Sequence, residues 1–136
     1  MTRFSTPDAF YNAFGTFVRR ITESRGFGGA ISDMSTPVQL EFTDPEATIV
    51  VRPYASSLQV SFGQPDPSIV AVMTLSTETA HQLMLGEQSF RGAVDRGDLV
   101  FTPEIRKFLA LVPSLSFAVF PRYRDHLRSL GRQELL

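Results

Sequence analysis

Few residues in this chain are able to carry acid–base or metal chemistry. It has two histidines, His81 and His126, and no cysteine. His81 follows Glu78 by three residues. On a helix that spacing puts carboxylate and imidazole on one face, where they could share a metal ion. A di-metal centre needs two such pairs, and the sequence has no second Glu-x-x-His. His81 is therefore read as part of a partly exposed helix surface, and no metal or cofactor is expected. His126 stands beside Asp125 among Arg122, Arg124 and Arg128. Adjacent helical residues do not face each other, so His126 is read as a surface histidine that resists protonation.

Nucleophile chemistry is equally thin. The absence of cysteine removes a thiol nucleophile, a disulfide scaffold and any cysteine-held zinc or iron–sulfur site. There is no Gly-x-Ser-x-Gly elbow. A Ser–His–Asp triad assembled from distant segments stays open, because such triads are recognised by geometry and not by sequence order. The run Gly26-Phe27-Gly28-Gly29-Ala30 resembles a phosphate loop, but it has no strand before it and no Lys-Ser/Thr after it. It is read as a turn. Tyr11, Tyr54 and Tyr123 are either orienting groups for a ligand headgroup or amphipathic surface residues.

Composition narrows the classes further. The chain has 136 residues, which is one domain (1–136), long enough to bury a core without disulfides or metals. Its net charge of -1 gives no basic surplus for nucleic acid. Met1 to Ser5 precedes no apolar run, so no secretory leader is expected. The longest apolar stretch, Leu109 to Phe120, is broken by Pro113 and two serines and is too short to span a bilayer. Together with the lack of cysteine this gives a cytoplasmic expectation. The 12 Phe without any Trp are a bias toward bulky, purely apolar surface. That surface is either core or the wall of an apolar cavity.

The elements that must position these residues follow from periodicity. Thr6-Pro7-Asp8 is a helix start, and Phe10, Phe14, Phe17, Val18 and Ile21 form one apolar stripe. The helix is predicted over 7–25. Val38, Leu40 and Phe42 alternate with polar residues, as do Leu58, Val60 and Phe62, with Ile49 and Val51 between them. Their connections are too short for a parallel crossover, so these three strands are an antiparallel meander. After Gly63-Gln64-Pro65-Asp66-Pro67, the run Ile69 to Leu75 is apolar at nearly every position. It reads as a central strand covered on both faces.

Ser76-Thr77-Glu78 opens a helix stopped by Gly86, and a second helical piece covers 87–94. Gly97 turns the chain into a strand, Leu99 to Phe101. Thr102-Pro103-Glu104 opens a further helix with the stripe Ile105, Phe108, Leu109 and Val112, ended by Pro113. Leu115 to Phe120 is a short turn or helix. Pro121 begins the last one, with Tyr123, Leu127 and Leu130 on one side and Gly131 as its stop. Sheet and helices thus occupy 36–112 and C-terminal helices 113–131. Arg122, Arg124 and Arg128 on that last helix, beside an apolar segment, are candidates for transient contact with an anionic membrane surface.

The segment from Val38 to Val112 resembles the sterol carrier protein-2 family. Pro65-Asp66-Pro67-Ser68-Ile69 followed by Leu75-Ser76-Thr77-Glu78-Thr79 is similar to that family's strand-then-helix step. Gly86 falls where the family has a glycine, and Phe90, Val94 and Arg96-Gly97-Asp98-Leu99 resemble the approach to its last strand. Thr102-Pro103 stands where the family usually has a second glycine, and the chain ends Glu134-Leu135-Leu136 without a peroxisomal tripeptide. The likeness is to a bacterial-type, free-standing member.

It implies an α+β fold: a five-stranded, mostly antiparallel sheet covered on one face by helices, in the order α-β3-crossover-β-α-β-α. It also implies an apolar tunnel without catalytic residues that binds or transfers a fatty acyl, sterol-like or other lipid molecule. The candidate wall is Phe90, Val94, Phe101, Phe108, Leu111, Val112, Phe117 and Phe120. Two alternatives stand beside this reading. One is an accessory subunit whose apolar groove takes a partner enzyme or a second copy in a homodimer. The other is a small enzyme on an apolar substrate that uses His81 or His126.

Overall fold

The computed structural model describes residues 3–23, 36–54, 57–105 and 112–136. Five strands form one sheet: β1 (Val38–Thr43), β2 (Ala47–Tyr54), β3 (Ser57–Phe62), β4 (Ala71–Ser76) and β5 (Leu99–Phe101), in the order β3-β2-β1-β4-β5. β1–β2, β2–β3 and β4–β5 pair antiparallel, and β1–β4 pairs parallel. The sheet is mixed and mostly antiparallel, and the meander has the predicted sense.

Register sorts the two faces. Leu40 lies opposite Ile49 and Met73, and Phe42 opposite Ala47 and Leu75. Because side chains alternate along a strand, all of these point to one side, where they join the core with Val38, Val51, Ala71 and Leu99.

β4 is not the central strand that its apolar run suggested. β1 is central, and along β4 only Ala71, Met73 and Leu75 are buried, alternating with half-buried Val72, Thr74 and Ser76. Apolar residues need not be buried, so an unbroken apolar run fails to identify a strand covered twice. It is β1 that is covered twice. On its outer side Gln39 is buried and accepts from the Asp66 backbone N–H (2.7 Å) in the β3–β4 crossover. Asp66 in turn accepts from Arg52 (2.8 Å) and from the Ser68 amide and hydroxyl (2.9 and 2.6 Å).

The N-terminal helix runs as α1 (Pro7–Phe10), a π-helical turn (Tyr11–Gly15) and α2 (Thr16–Glu23). Thr6 caps it by accepting from the Ala9 amide. Phe10, Phe14, Phe17, Val18 and Ile21 are all buried against the sheet. The π-turn is invisible to a 3.6-residue pattern. It inserts an extra residue into the turn and sets Tyr11, Gly15 and Arg19 against β3. There the Tyr11 ring stacks on Phe62 at 5.0 Å and the Arg19 guanidinium lies 4.0 Å from the Phe62 ring centre.

Past β4, Ser76 caps α3 (Thr77–Leu85), and Gly86 ends it at φ 78°, a conformation that favours glycine. α4 (Phe90–Asp95) is capped by Ser89. Pro103–Ile105 is a 3-10 turn, and the remainder of the helix predicted after Thr102 (106–111, including Phe108, Leu109 and Leu111) lies outside the described residues. So do Gly26 to Ala30.

The C-terminal segment differs from the reading of two helices parted by prolines. Val112–Ser129 is one helix, α5, with Pro121 inside it. Pro113 sits in its first turn, where no intrahelical N–H bond is lost. Pro121 gives up one such bond within a helix whose φ it already matches. Tyr123 and Leu127 face the core, whereas Leu130 is 44% exposed and does not share their side. After Gly131 the chain folds back through the 3-10 turn Gln133–Leu135 and buries Leu135. No helix among the described residues is long and apolar enough to cross a membrane.

Candidate functional site

The sheet's inner face is apolar, α2 packs against β3 and α3 against β4, and α5 packs on α3 and α2. Met84 of α3, Phe90 and Val94 of α4, and Phe101 of β5 are only half buried while packing on the core, and α4 lies against β5. Of the candidate wall, Phe90, Val94 and Phe101 therefore fall together at one edge of the core. Val112, Phe117 and Phe120 belong to the first half of α5, which carries no charged residue. Phe108 and Leu111 lie outside the described residues.

The histidines correct the sequence reading. His81 is no helix-surface residue: it is fully buried. Its Nε2 lies 2.6 Å from the Leu135 carbonyl oxygen and its Nδ1 lies 2.6 Å from the Tyr123 hydroxyl. A carbonyl only accepts, so Nε2 carries the proton and Nδ1 accepts from the Tyr123 O–H. Burial holds the imidazole below the ordinary histidine range, and it raises the Tyr123 phenol well above its own. Phe4 packs edge-on against the ring at 5.3 Å. Both nitrogens are occupied and Glu78 is paired with Arg3 at 3.1 Å, so Glu78 and His81 do not form a ligand pair. Among the described residues no three His, Cys, Asp or Glu side chains converge as a metal site.

His126 is buried as well. Its Nδ1 accepts from Arg20 (3.3 Å), and Nε2 faces the Thr16 hydroxyl (2.9 Å), which itself donates to the Asn12 carbonyl (2.6 Å). It joins α5 to α2 and to the π-turn. Burial, and then the Arg20 charge, hold its pKa low. The two histidines sit on different contacts of α5 and do not form one site. Tyr11 also has a structural post, because its hydroxyl accepts from the Thr48 amide at 2.8 Å. The residues that sequence reasoning missed are Arg3, Phe4 and Leu135. They lie in terminal segments with no periodicity to mark them.

The three candidate membrane arginines have different surroundings. Arg122 is exposed, Arg128 is exposed and paired with Asp125 at 3.0 Å, and Arg124 donates to the Leu85 carbonyl at 2.7 Å.

The sequence matches no protein-family model and no curated relative. Solved structures do match. The sterol carrier protein domain 2 of Helicoverpa armigera aligns over 78% of this chain and 87% of its own, at 14% identity and a TM-score of 0.59. A crystal structure of sterol carrier protein 2 aligns over 93% and 90%, at 19% identity and a TM-score of 0.53. The chain has the sterol carrier protein-2 fold. The ubiquinone synthesis protein UbiJ-SCP2 shares this fold over 77% of the present chain and 93% of its own, with 13% identity and a TM-score of 0.55. The same fold recurs inside an enzyme: a double mutant of the sec-alkyl sulfatase PisA1 aligns over 84% of this chain at 16% identity and a TM-score of 0.55. The chain spans 16% of that sulfatase chain, and 12% of the inverting sec-alkylsulfatase Pisa1 from Pseudomonas sp..

Proposed function

We propose that this chain holds an apolar ligand, a fatty acyl, sterol-like or other lipid molecule, between its sheet and the first half of α5, and carries or presents it without catalytic residues of its own. One observation carries the reading. In a sterol carrier protein-2 fold, the half-buried apolar residues Phe90 and Val94 of α4 and Phe101 of the adjoining β5 pack on the core, and the first half of α5 carries no charged residue. Apolar area is worth roughly 25 cal/mol per Å², so a hydrocarbon chain is held there with few polar contacts. The two histidines support a non-catalytic reading, because their ring nitrogens are engaged within the fold.

Titration with cis-parinaric acid, followed by displacement with oleate, tests the proposal. Saturable fluorescence enhancement that oleate reverses, and that Phe101→Ser weakens at least fivefold, is expected. An absence of saturable binding, together with no apolar mass in native mass spectrometry of the gently purified protein, refutes it.

A second reading is favoured by one comparison. The fold's recurrence as a small part of a sulfatase chain supports an accessory role, in which the apolar edge presents a ligand to a partner enzyme. Co-purification of one stoichiometric enzyme with the tagged chain supports that role, and a chain isolated alone with its lipid speaks for a free carrier.

A further inference from the structure

The sheet ends in two edge strands, β3 and β5, and the fold treats them differently. At β3 the Gly63 amide donates to the Thr48 carbonyl (2.9 Å), so by alternation the Val60 carbonyl points away from β2. Arg19 donates to that carbonyl at 3.3 Å, and α2 packs along the strand. β5 has no such guard. The Thr102 amide donates to the Val72 carbonyl (3.0 Å), so the Val100 backbone faces β4 and the amides and carbonyls of Leu99 and Phe101 face outward. Past Thr102 the Pro103–Ile105 turn packs on β4, and among the described residues nothing pairs with the outward side of β5. The strand reads Leu-Val-Phe, without the charge or proline that blunts an edge. Val100, on the outer face, is 60% exposed, the most exposed large apolar side chain among the described residues.

We propose that β5 pairs antiparallel with the β5 of a second copy of this chain, about a twofold axis at Val100, so that two sheets join into one. The strand is self-complementary in that register. Leu99 stands opposite the second copy's Phe101 and exchanges both hydrogen bonds with it, and Phe101 does the same with the second copy's Leu99. Their side chains lie on the inner face, where Leu99 is buried and Phe101 half buried, so the pairing extends the core across the axis. On the outer face Val100 meets its own copy in a non-hydrogen-bonded pair, the kind that brings side chains closest.

Charge favours the antiparallel sense. Arg96 precedes the strand and Glu104 follows it. Arg96 holds Asp98 at 3.1 Å and keeps its side chain 54% exposed, while Glu104 is exposed and has no ion pair among the described residues. Antiparallel pairing brings each Glu104 to the end where the other copy's Arg96 stands. Parallel pairing would set Glu104 beside Glu104 and Arg96 beside Arg96. The seam is only three residues long in each copy, so the dimer is weak and concentration-dependent. It needs no ligand, because Val100 lies on the face of the sheet away from the core.

Sedimentation equilibrium of the full chain, in a series carried to about 1 mM, reads the association. A monomer–dimer equilibrium is expected. Val100→Lys sets two like charges face to face across the axis and is expected to raise the dissociation constant about tenfold. Its side chain is exposed in the single chain, so the circular dichroism spectrum is expected to stay that of the wild type. The chain has no cysteine, so an introduced one reports its own surroundings. On mild oxidation Val100→Cys is expected to form an inter-chain disulfide about tenfold faster than Leu130→Cys, an exposed position on the C-terminal side of the molecule. A wild-type chain that stays monomeric throughout the series overturns the proposal. A dimer that Val100→Lys leaves intact, or disulfide formation equally fast at the two positions, overturns it as well by placing the contact elsewhere.

Discussion

Gly15 and Phe62 meet so closely that a Cβ at position 15 would stand 2.8 Å from the ring's Cζ. The ring has little freedom to withdraw, because Tyr11 stacks on it at 5.0 Å and Arg19 covers it at 4.0 Å. Tyr11, Gly15 and Arg19 come into line through the π-turn, so this contact is how the N-terminal helix is seated on the edge strand β3.

Gly15→Ala therefore sets two effects against each other. Alanine favours a helix by about 1 kcal/mol over glycine, while overpacking a filled site costs about 1–3 kcal/mol. With Phe62 held from two sides, the overpacking wins, and a net loss of about 1 kcal/mol is expected in urea unfolding. Phe62→Leu shortens the ring's reach, so the double variant Gly15→Ala/Phe62→Leu is expected to show a favourable coupling. Additive losses in that cycle contradict the contact.

Stability is expected to fall with acid before any carboxylate titrates. His81 and His126 both have folded-state pKa values below the ordinary 6.5. Below pH 6.5 the unfolded chain then binds more protons than the folded one, so unfolding becomes easier as pH falls. The contribution is complete above about pH 6.5 and declines from there toward the depressed folded values. The ceiling is about 1.4 kcal/mol per histidine for each pH unit. Urea midpoints at pH 7.5, 6.5 and 5.5 measure it. In a His81→Gln/His126→Gln chain the slope over this window is expected to vanish, and a slope equal to that of the wild type contradicts the assignment.

The paired strands, the helix caps and the buried stripe of the N-terminal helix were legible because they are local. Alternation in Val38-Gln39-Leu40-Glu41-Phe42 and the cap at Ser76 need no knowledge of the rest of the chain. What stayed hidden depends on distant partners. No local signal shows that His81 will meet a carbonyl 54 residues later, or that Gln39 will be roofed by Asp66. The prolines misled for a different reason: Pro113 and Pro121 read as breaks, but one lies in a first turn and the other gives up a single bond in a helix held by Tyr123 and Leu127. The candidate wall was legible only as an apolar composition. The position of Phe101, opposite Met73, came only from the strand register.

Asp66→Asn tests how the crossover is held over β1. The carboxylate's pKa is lowered to about 2, first by the Ser68 hydroxyl and amide and then by Arg52. A carboxylate with a depressed folded pKa stabilises the fold above its unfolded value near 3.8, and that support disappears as pH falls toward 2. The Asp66→Asn variant is expected to melt earlier at pH 7 and to be cleaved faster by protease between residues 63 and 70. Its stability is also expected to change less than that of the wild type between pH 4 and 2. Equal cleavage rates contradict the role given to Asp66.

The arginines of α5 separate by partner. Arg124 donates to the last carbonyl of α3, at Leu85, where a cation also favours the helix dipole. Arg124→Gln is expected to cost about 1 kcal/mol of stability. If α5 touches an anionic membrane, the attraction comes from Arg122 and Arg128, at about 1 kcal/mol for each basic residue near the surface. Arg128 delivers less of it, because Asp125 travels with it at 3.0 Å. Co-sedimentation with vesicles of phosphatidylcholine and phosphatidylserine at low and physiological salt measures this. Arg122→Gln is expected to weaken vesicle binding about fivefold with the melting temperature unchanged. Arg124→Gln is expected to do the reverse, lowering the melting temperature with little effect on binding. A vesicle affinity that none of the three substitutions alters removes the membrane reading of this helix and leaves Arg124 its post beneath α3.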